Sequence, residues 1–164
     1  SLSPCFPYTT LFRSYPRGKG EMKDWRNEMQ VLPIGKGKKL RDGDDIAVLS
    51  IGPIGNEVIK AIEMVKEAGV SIAHYDMIYL KPLDEELLHE IGQKYNRIIT
   101  VENGVIKGGF GSAVLEFMAD NGYTPHVKRI GVPDAFIEHG SIPELYQLCG
   151  MDAESIAKQL KKEN

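Results

Sequence analysis

The sequence is short of cysteine and of metal-binding patterns. Its 164 residues include two cysteines, Cys5 and Cys149, which stand at opposite ends of the chain without CxxC or Cys/His spacing. This excludes a disulfide framework and a cysteine-ligated zinc site. We therefore expect a reducing, cytoplasmic location and no metal site within the chain.

Long apolar runs and an excess of one charge are also missing. The longest apolar segments are broken by Lys, Glu or Gly and do not reach the roughly 18 residues that a membrane span requires. The 20 basic and 23 acidic residues give a formal net charge of -3, which does not indicate a nucleic-acid partner. We expect neither a membrane nor a nucleic acid among the partners, and a length that suits one core.

The first fourteen residues, SLSPCFPYTTLFRS, contain no acid and one base. A secretory signal needs an unbroken apolar core, which Pro4 and Pro7 interrupt. An edge strand over YTTLF is an alternative. We interpret residues 1–14 as the translation of a sequencing adapter that packs poorly against the rest, so that the natural sequence begins near Tyr15.

The next stretch, residues 15–43, is rich in Gly, Pro and Lys, which is typical of an extended linker entering a domain. Within it, KKLRDGDD predicts a short edge hairpin that turns at Asp42 and Gly43. The domain itself is predicted over residues 44–164.

Apolar patterns in that domain alternate between strand and helix. Strands are predicted at residues 45–52, 71–80, 97–102 and 126–132, and the first is typical of a strand buried on both faces. A helix after the first strand carries an apolar stripe of Val58, Ile59, Ile62 and Val65 and ends at Gly69. Further helices follow the other strands, and the last runs over residues 152–162. The alternation predicts a three-layer α/β/α fold with a mostly parallel sheet of four to five strands.

Helix starts in this pattern carry their own signals. In SIPE, Ser141 is predicted as an N-cap, and Glu144 stands three residues later, as in a capping box. The sequence LDEELL places acids in a first helical turn.

One glycine-rich loop has two interpretations. In KGGFGS, Gly108 and Gly109 follow a strand and precede a helix, where backbone amides can hold an anion. The pattern matches neither GxxxxGK[ST] nor GxGxxG. We favour close backbone approach where the loop meets another domain or subunit.

Three polar residues in loops are further candidates. Glu102 and Asn103 end a predicted strand, at the edge where open α/β sheets bind ligands, although such a pair is more often a turn and helix-capping device. His139 stands beside Glu138, a carboxylate able to raise its pKa for acid catalysis, but no nucleophile is visible. We favour a structural or interface role for these three, and we interpret Cys149 as a packing residue.

Arg17 lies in YPRG, between a proline that fixes φ and a glycine. A guanidinium presented from such a restrained backbone suits bidentate recognition of phosphate or carboxylate. From these residues alone, a solvated linker arginine is an equal alternative.

Several blocks together resemble one enzyme family. YPRGKG, LPIGKGKKLRDGDDIAVLSIG, KPLDEELL, TVENGVIKGGFGSAVLEFM and IGVPDAFIEHGSIPELYQLCGMD are similar, in order, to the C-terminal part of the 1-deoxy-D-xylulose-5-phosphate synthase family. The resemblance implies the third domain of a transketolase-like homodimer that condenses pyruvate with D-glyceraldehyde 3-phosphate and releases carbon dioxide. That product feeds isoprenoid, thiamine and pyridoxal synthesis.

The resemblance also sets what this chain contributes. It implies that thiamine diphosphate and Mg²⁺ are bound by N-terminal domains that are missing here, so that the chain is an inactive fragment without catalytic, cofactor-binding or metal-binding residues. Arg17 matches the arginine that binds the phosphate of the aldehyde substrate, although Ser14 stands where the family usually has a basic residue. Alternatives are the C-terminal domain of transketolase or of a 2-oxoacid dehydrogenase E1 β subunit, or a free-standing α/β binding or regulatory domain.

Overall fold

A five-stranded sheet, sandwiched between helices, organises the residues that the computed structural model describes, 31–161. Arg17, residues 1–14 and most of the predicted linker lie outside the described residues. In chain order the elements are β1 (Lys38–Arg41), β2 (Ile46–Ile51), α1 (Gly55–Met64), β3 (Ile72–Asp76), α2 (Glu85–Lys94), β4 (Arg97–Val105), α3 (Phe110–Asp120), β5 (His126–Val132), α4 (Ile142–Leu148) and α5 (Ala153–Leu160).

The sheet has the strand order β1-β3-β2-β4-β5. β2 pairs in parallel with β3 and β4, and β4 pairs in parallel with β5, whereas β1 is antiparallel to β3. The predicted three-layer α/β/α fold with a mostly parallel sheet is therefore confirmed. All four parallel strands end at one edge, which we call the carboxyl edge.

Two apolar cores lie on the two faces of the sheet. α1 and α5 pack on the face that presents Val48 and Ile99, and α2 and α3 pack on the face that presents Leu49 and Ile98. Because β2 supplies both cores, its first five residues are all buried, which confirms the prediction of a strand buried on both faces. On α1 the prediction was wrong for Ile59, which is exposed, while Ala61 joins the buried stripe.

The predicted hairpin at Asp42 and Gly43 is wrong. β1 pairs with β3 rather than β2, and the chain crosses the start of β3 at Gly43 to reach the centre of the sheet. A Cβ atom on Gly43 would lie 2.2 Å from the amide nitrogen of Ala73 and 2.2 Å from the carbonyl carbon of Ile72. Gly43 is therefore a glycine because two backbone segments come close together at this position. A local sequence pattern does not distinguish such a crossing from a hairpin turn.

Two strand ends also differ from the prediction. β3 stops at Asp76, because its carboxylate accepts a hydrogen bond from the Ile78 amide at 3.1 Å and turns the chain. β4 continues to Val105, which pairs with Val132 of β5. The Ser141 N-cap is confirmed, since α4 begins at Ile142, and the Glu144 carboxylate accepts bonds from the Ser141 amide and hydroxyl that lower its pKa.

Asp84 ties the segment before β1 to α2. Its buried carboxylate caps α2 at the Leu87 amide, 3.2 Å away, and accepts a second bond from the Gly37 amide at 2.9 Å. Burial alone would raise the pKa of Asp84, but these amides and the Lys36 ammonium outweigh it and lower the pKa. The residues just before β1 are thereby fixed at the carboxyl edge.

A buried histidine makes the stability of this fold depend on pH. His74 on β3 is 1% exposed, and its Nε2 lies 2.8 Å from the Ser50 hydroxyl on β2. Burial lowers the pKa of His74 to about 4 from the ordinary 6.5. As the pH falls, His74 therefore binds a proton near pH 6.5 in the unfolded chain but only near pH 4 in the folded chain.

We expect the free energy of unfolding to fall by about 2 kcal/mol between pH 6.5 and 5, at about 1.4 kcal/mol per pH unit. Urea unfolding across this range measures the slope. His74→Gln is expected to remove most of the slope, whereas His126→Gln, at an exposed position on β5, is expected to leave it unchanged. An equal slope in His74→Gln would assign the pH dependence to other groups.

Candidate functional site at the carboxyl edge

The last part of β4 and the loops that follow β4 and β5 at the carboxyl edge carry five of the candidate residues: Glu102, Asn103, Gly108, Gly109 and His139. Arg17, the sixth, lies outside the described residues. Parallel strands place their following loops side by side, and open α/β sheets bind ligands at this edge. The five residues nevertheless fall into two separate groups, the start of α3 and a cleft beside α4.

Glu102 belongs to the start of α3. Its side chain is buried, with 4% of the residue exposed, and its two carboxylate oxygens each accept a hydrogen bond of 2.8 Å, from the amides of Phe110 and Gly111. These are amides of the first helical turn, which have no partner within the helix. The helix-capping interpretation of Glu102 is therefore confirmed, and both amides are already used by an anion of the protein itself.

The glycines of this loop make room for that carboxylate. A Cβ atom on Gly109 would lie 2.3 Å from Glu102 Oε2 and 2.4 Å from the carbonyl oxygen of Val105. The Gly108 amide donates to the Ser112 hydroxyl at 2.9 Å. Close backbone approach thus occurs within the loop, and contact of this loop with another domain or subunit stays a prediction.

Arg129 on β5 holds the same loop from the neighbouring strand. Its guanidinium donates to the Ile106 carbonyl at 2.6 Å and to the Ser112 hydroxyl at 2.8 Å. The sequence analysis missed this residue, because a single arginine in a strand pattern gives no sign of the loop that it reaches. Arg129 is a positioning residue for the loop between β4 and α3.

The second group lines a cleft of about 460 Å³ beside α4. Asn103 and His139 both reach it, and the Tyr146 hydroxyl of α4 donates to Asn103 Oδ1 at 3.2 Å. Its other lining side chains are mostly apolar: Val132, Ile137, Glu138, Ile142, Leu145, Cys149 and Met151. Cys149 packs against the core around Met151, as its predicted packing role requires.

The cleft combines an apolar wall with four polar groups, the amide of Asn103, the phenol of Tyr146, the imidazole of His139 and the carboxylate of Glu138. Among residues 31–161 no three His, Cys, Asp or Glu side chains come together as a metal site would require. Within the same residues no helix has the length and apolar character to span a membrane.

Comparison with known proteins places this geometry in a family. The model of the family described as "Transketolase, C-terminal domain" matches residues 35–156, which span all five strands. The chain belongs to this family. The region that matches this transketolase C-terminal domain model contains the parallel strands β2 to β5, α3 with its Glu102 cap, and the cleft beside α4.

Two curated relatives of this chain share one name. The chain is 99% identical over 150 residues to the 1-deoxy-D-xylulose-5-phosphate synthase of Parabacteroides distasonis, covering 92% of this chain and 24% of the relative. It is 59% identical over 149 residues to the synthase of the same name from Bacteroides fragilis, covering 90% of this chain and 23% of the relative. The chain thus spans about a quarter of the length of these relatives.

Solved structures agree on the fold. One solved structure, described as "Split gene transketolase, inactive beta4 tetramer", is 30% identical to this chain. The TM-score is 0.71, over 80% of this chain and 45% of that chain. A transketolase from Campylobacter jejuni is 13% identical with a TM-score of 0.57, over 76% of this chain and 18% of that chain. At 13% identity the second likeness concerns the fold alone.

Proposed function

We propose that this transketolase C-terminal domain serves as the C-terminal part of a 1-deoxy-D-xylulose-5-phosphate synthase in the cytoplasm. The 99% identity to the Parabacteroides distasonis enzyme over 150 residues carries the proposal. The intact homodimer condenses pyruvate with D-glyceraldehyde 3-phosphate, releases carbon dioxide and so supplies a precursor of isoprenoids, thiamine and pyridoxal.

Thiamine diphosphate with Mg²⁺ supplies the carbanion chemistry of that reaction when bound. The described residues do not fit this cofactor. No metal-binding cluster occurs among residues 31–161, and the first-turn amides of α3 that follow the glycine-rich loop already donate to the Glu102 carboxylate. The proposal therefore assigns the cofactor to the preceding domains and no catalytic step to this chain, which alone is inactive.

The role proposed for this chain is twofold. It contributes to contacts within the homodimer, and Arg17 binds the phosphate of D-glyceraldehyde 3-phosphate. The YPRG sequence supports the second role, because Pro16 fixes its own φ and so restrains the backbone that leads into Arg17.

Arg17→Ala in a full-length synthase carrying this segment tests the role of Arg17. We expect the KM for D-glyceraldehyde 3-phosphate to rise roughly tenfold or more, because a charge-assisted hydrogen bond contributes about 1.5–3 kcal/mol. The KM for pyruvate and the kinetics with unphosphorylated D-glyceraldehyde are expected to change little. Steady-state kinetics with each aldehyde measure the difference, and Arg26→Ala is the control from the same stretch.

Arg17→Lys separates charge from geometry, since lysine keeps the charge but not the planar fork. Partial rescue is expected. An Arg17→Ala enzyme that keeps its preference for the phosphorylated aldehyde would remove Arg17 from the substrate site. A full-length enzyme without activity on pyruvate and D-glyceraldehyde 3-phosphate would refute the synthase assignment itself.

A further inference from the structure

The polypeptide enters this domain at the carboxyl edge. β1 is antiparallel to β3, and its first residue, Lys38, lies opposite Asp76, the last residue of β3. The hydrogen bond from the Gly37 amide to Asp84 holds the preceding residues there. Chain that leads into β1 therefore reaches the sheet on the side where β2 to β5 end.

Several segments at the same edge carry exposed apolar side chains. Leu32 and Ile34 precede β1, Leu80 follows β3, Val105 ends β4, and Phe136 and Ile142 follow β5, and all six are exposed. We call these six residues the carboxyl-edge patch. Apolar patches of this kind mark interaction sites on soluble proteins.

Phe136 has the most exposed side chain of the patch. Its relative exposure is 108%, and the next residue, Ile137, lines the apolar cleft. Burial of a phenylalanine side chain stabilises a contact, because its apolar surface is removed from water. A ring held in water beside an apolar cleft is suited to a contact that buries both.

A strained residue lies at the same edge. Ile78, two residues after β3, has a φ of 54°, a left-handed conformation that is rare for a β-branched residue. Such strain persists where the surroundings hold it and concentrates at binding sites. The strained residue thus lies in the loop after β3, one of the loops at the carboxyl edge.

We propose that the carboxyl-edge patch docks against the preceding domains of a synthase chain, with Phe136 and the cleft at the centre of the contact. The inference rests on the proposed function, which supplies those domains. Two observations select this occupant. The connecting chain arrives at this edge, and the chain covers only 24% of the length of its 99% identical relative, so most of such an enzyme is available as the partner.

Cysteine labelling compares the patch in the 164-residue chain and in the full-length Parabacteroides distasonis synthase in which this segment replaces its counterpart. Phe136→Cys reports on the patch. Met64→Cys is the matched control, because Met64 is also exposed but ends α1, at the opposite edge of the sheet. Maleimide modification is followed by peptide mass spectrometry, which separates the new thiols from the native cysteines, including Cys5 and Cys149.

In the full-length enzyme we expect Phe136→Cys to react roughly tenfold or more slowly than in the 164-residue chain, and Met64→Cys to change less than about twofold. Leu80→Cys provides a second reporter from the patch if Phe136→Cys does not assemble. An unaltered labelling rate at both patch positions in an enzyme with synthase activity would overturn the docking proposal and leave the proposed function standing.

Dilution of the full-length enzyme shows whether the carboxyl-edge patch is covered by the preceding domains or by a second copy of the chain. Protection that persists in monomeric full-length enzyme supports docking against the preceding domains. Protection that disappears when dimers dissociate assigns the patch to a second copy of the chain and overturns the proposal. A full-length enzyme that lacks synthase activity removes the proposed function instead.

Discussion

Gly43→Ala is expected to destabilise the folded chain by about 4 kcal/mol or more, or to prevent folding. The added Cβ would lie 2.2 Å from backbone atoms of Ile72 and Ala73, which cannot rotate aside as a side chain does. The segment around Gly43 also cannot easily move away from β3. The Gly43 carbonyl accepts hydrogen bonds from the Tyr95 hydroxyl at 2.7 Å and from the Lys94 ammonium at 2.9 Å, which hold the segment in place.

Urea unfolding followed by circular dichroism measures this effect. Gly122→Ala is the matched control, because Gly122 has a φ of 72° and no atom within 4 Å of its ideal Cβ. The control therefore isolates the cost of the left-handed conformation, about 1–2 kcal/mol. Equal losses in the two variants would mean that the crossing at Gly43 has room for a methyl group.

Glu102→Ala is expected to destabilise the chain by about 3 kcal/mol, because it leaves two buried amides, of Phe110 and Gly111, without an acceptor. Glu102→Gln keeps the shape but turns one acceptor into a donor that faces an amide. We expect it to recover less than half of the loss, which distinguishes the hydrogen bonds from the packing of the side chain.

Two measurements test the role of Glu102. Urea unfolding gives the total loss, and amide hydrogen exchange at Phe110 and Gly111 is expected to accelerate in both variants. Glu116→Gln, an exposed change on the same helix, should alter neither. Unchanged exchange at the start of α3 in Glu102→Ala would show that the carboxylate is dispensable as a cap.

The parts of the fold predicted from the sequence are those with local signals. β2 is a continuous apolar run because both faces of the strand are buried, and α4 begins after a capping box. β1 pairs with the last residues of β3, from Arg41 opposite His74 to Lys38 opposite Asp76, and no local pattern encodes a pairing between residues so far apart in the chain. Gly43 was recognised as a special position, but a hairpin turn and a backbone crossing both favour glycine.

The sequence predicts that the candidate residues lie at the end of a strand, but it does not predict which residues they contact. Glu102 and Asn103 are adjacent, and neighbouring residues of a strand point to opposite faces. Glu102 therefore caps α3 on one face, while Asn103 meets Tyr146 of α4 on the other. The sequence places both at the end of a strand, but which helix covers each face follows only from the three-dimensional topology.

The outermost strand bears on how the chain behaves at high concentration. Among residues 31–161 no strand pairs with the outer side of β1, and its sequence KKLR contains three cationic residues and one apolar residue. A strand from another molecule that joined this edge would have to desolvate those cations, and a second β1 would also be repelled by them. We expect edge-to-edge polymerisation to be suppressed in dilute salt and to become easier as added salt screens the charges.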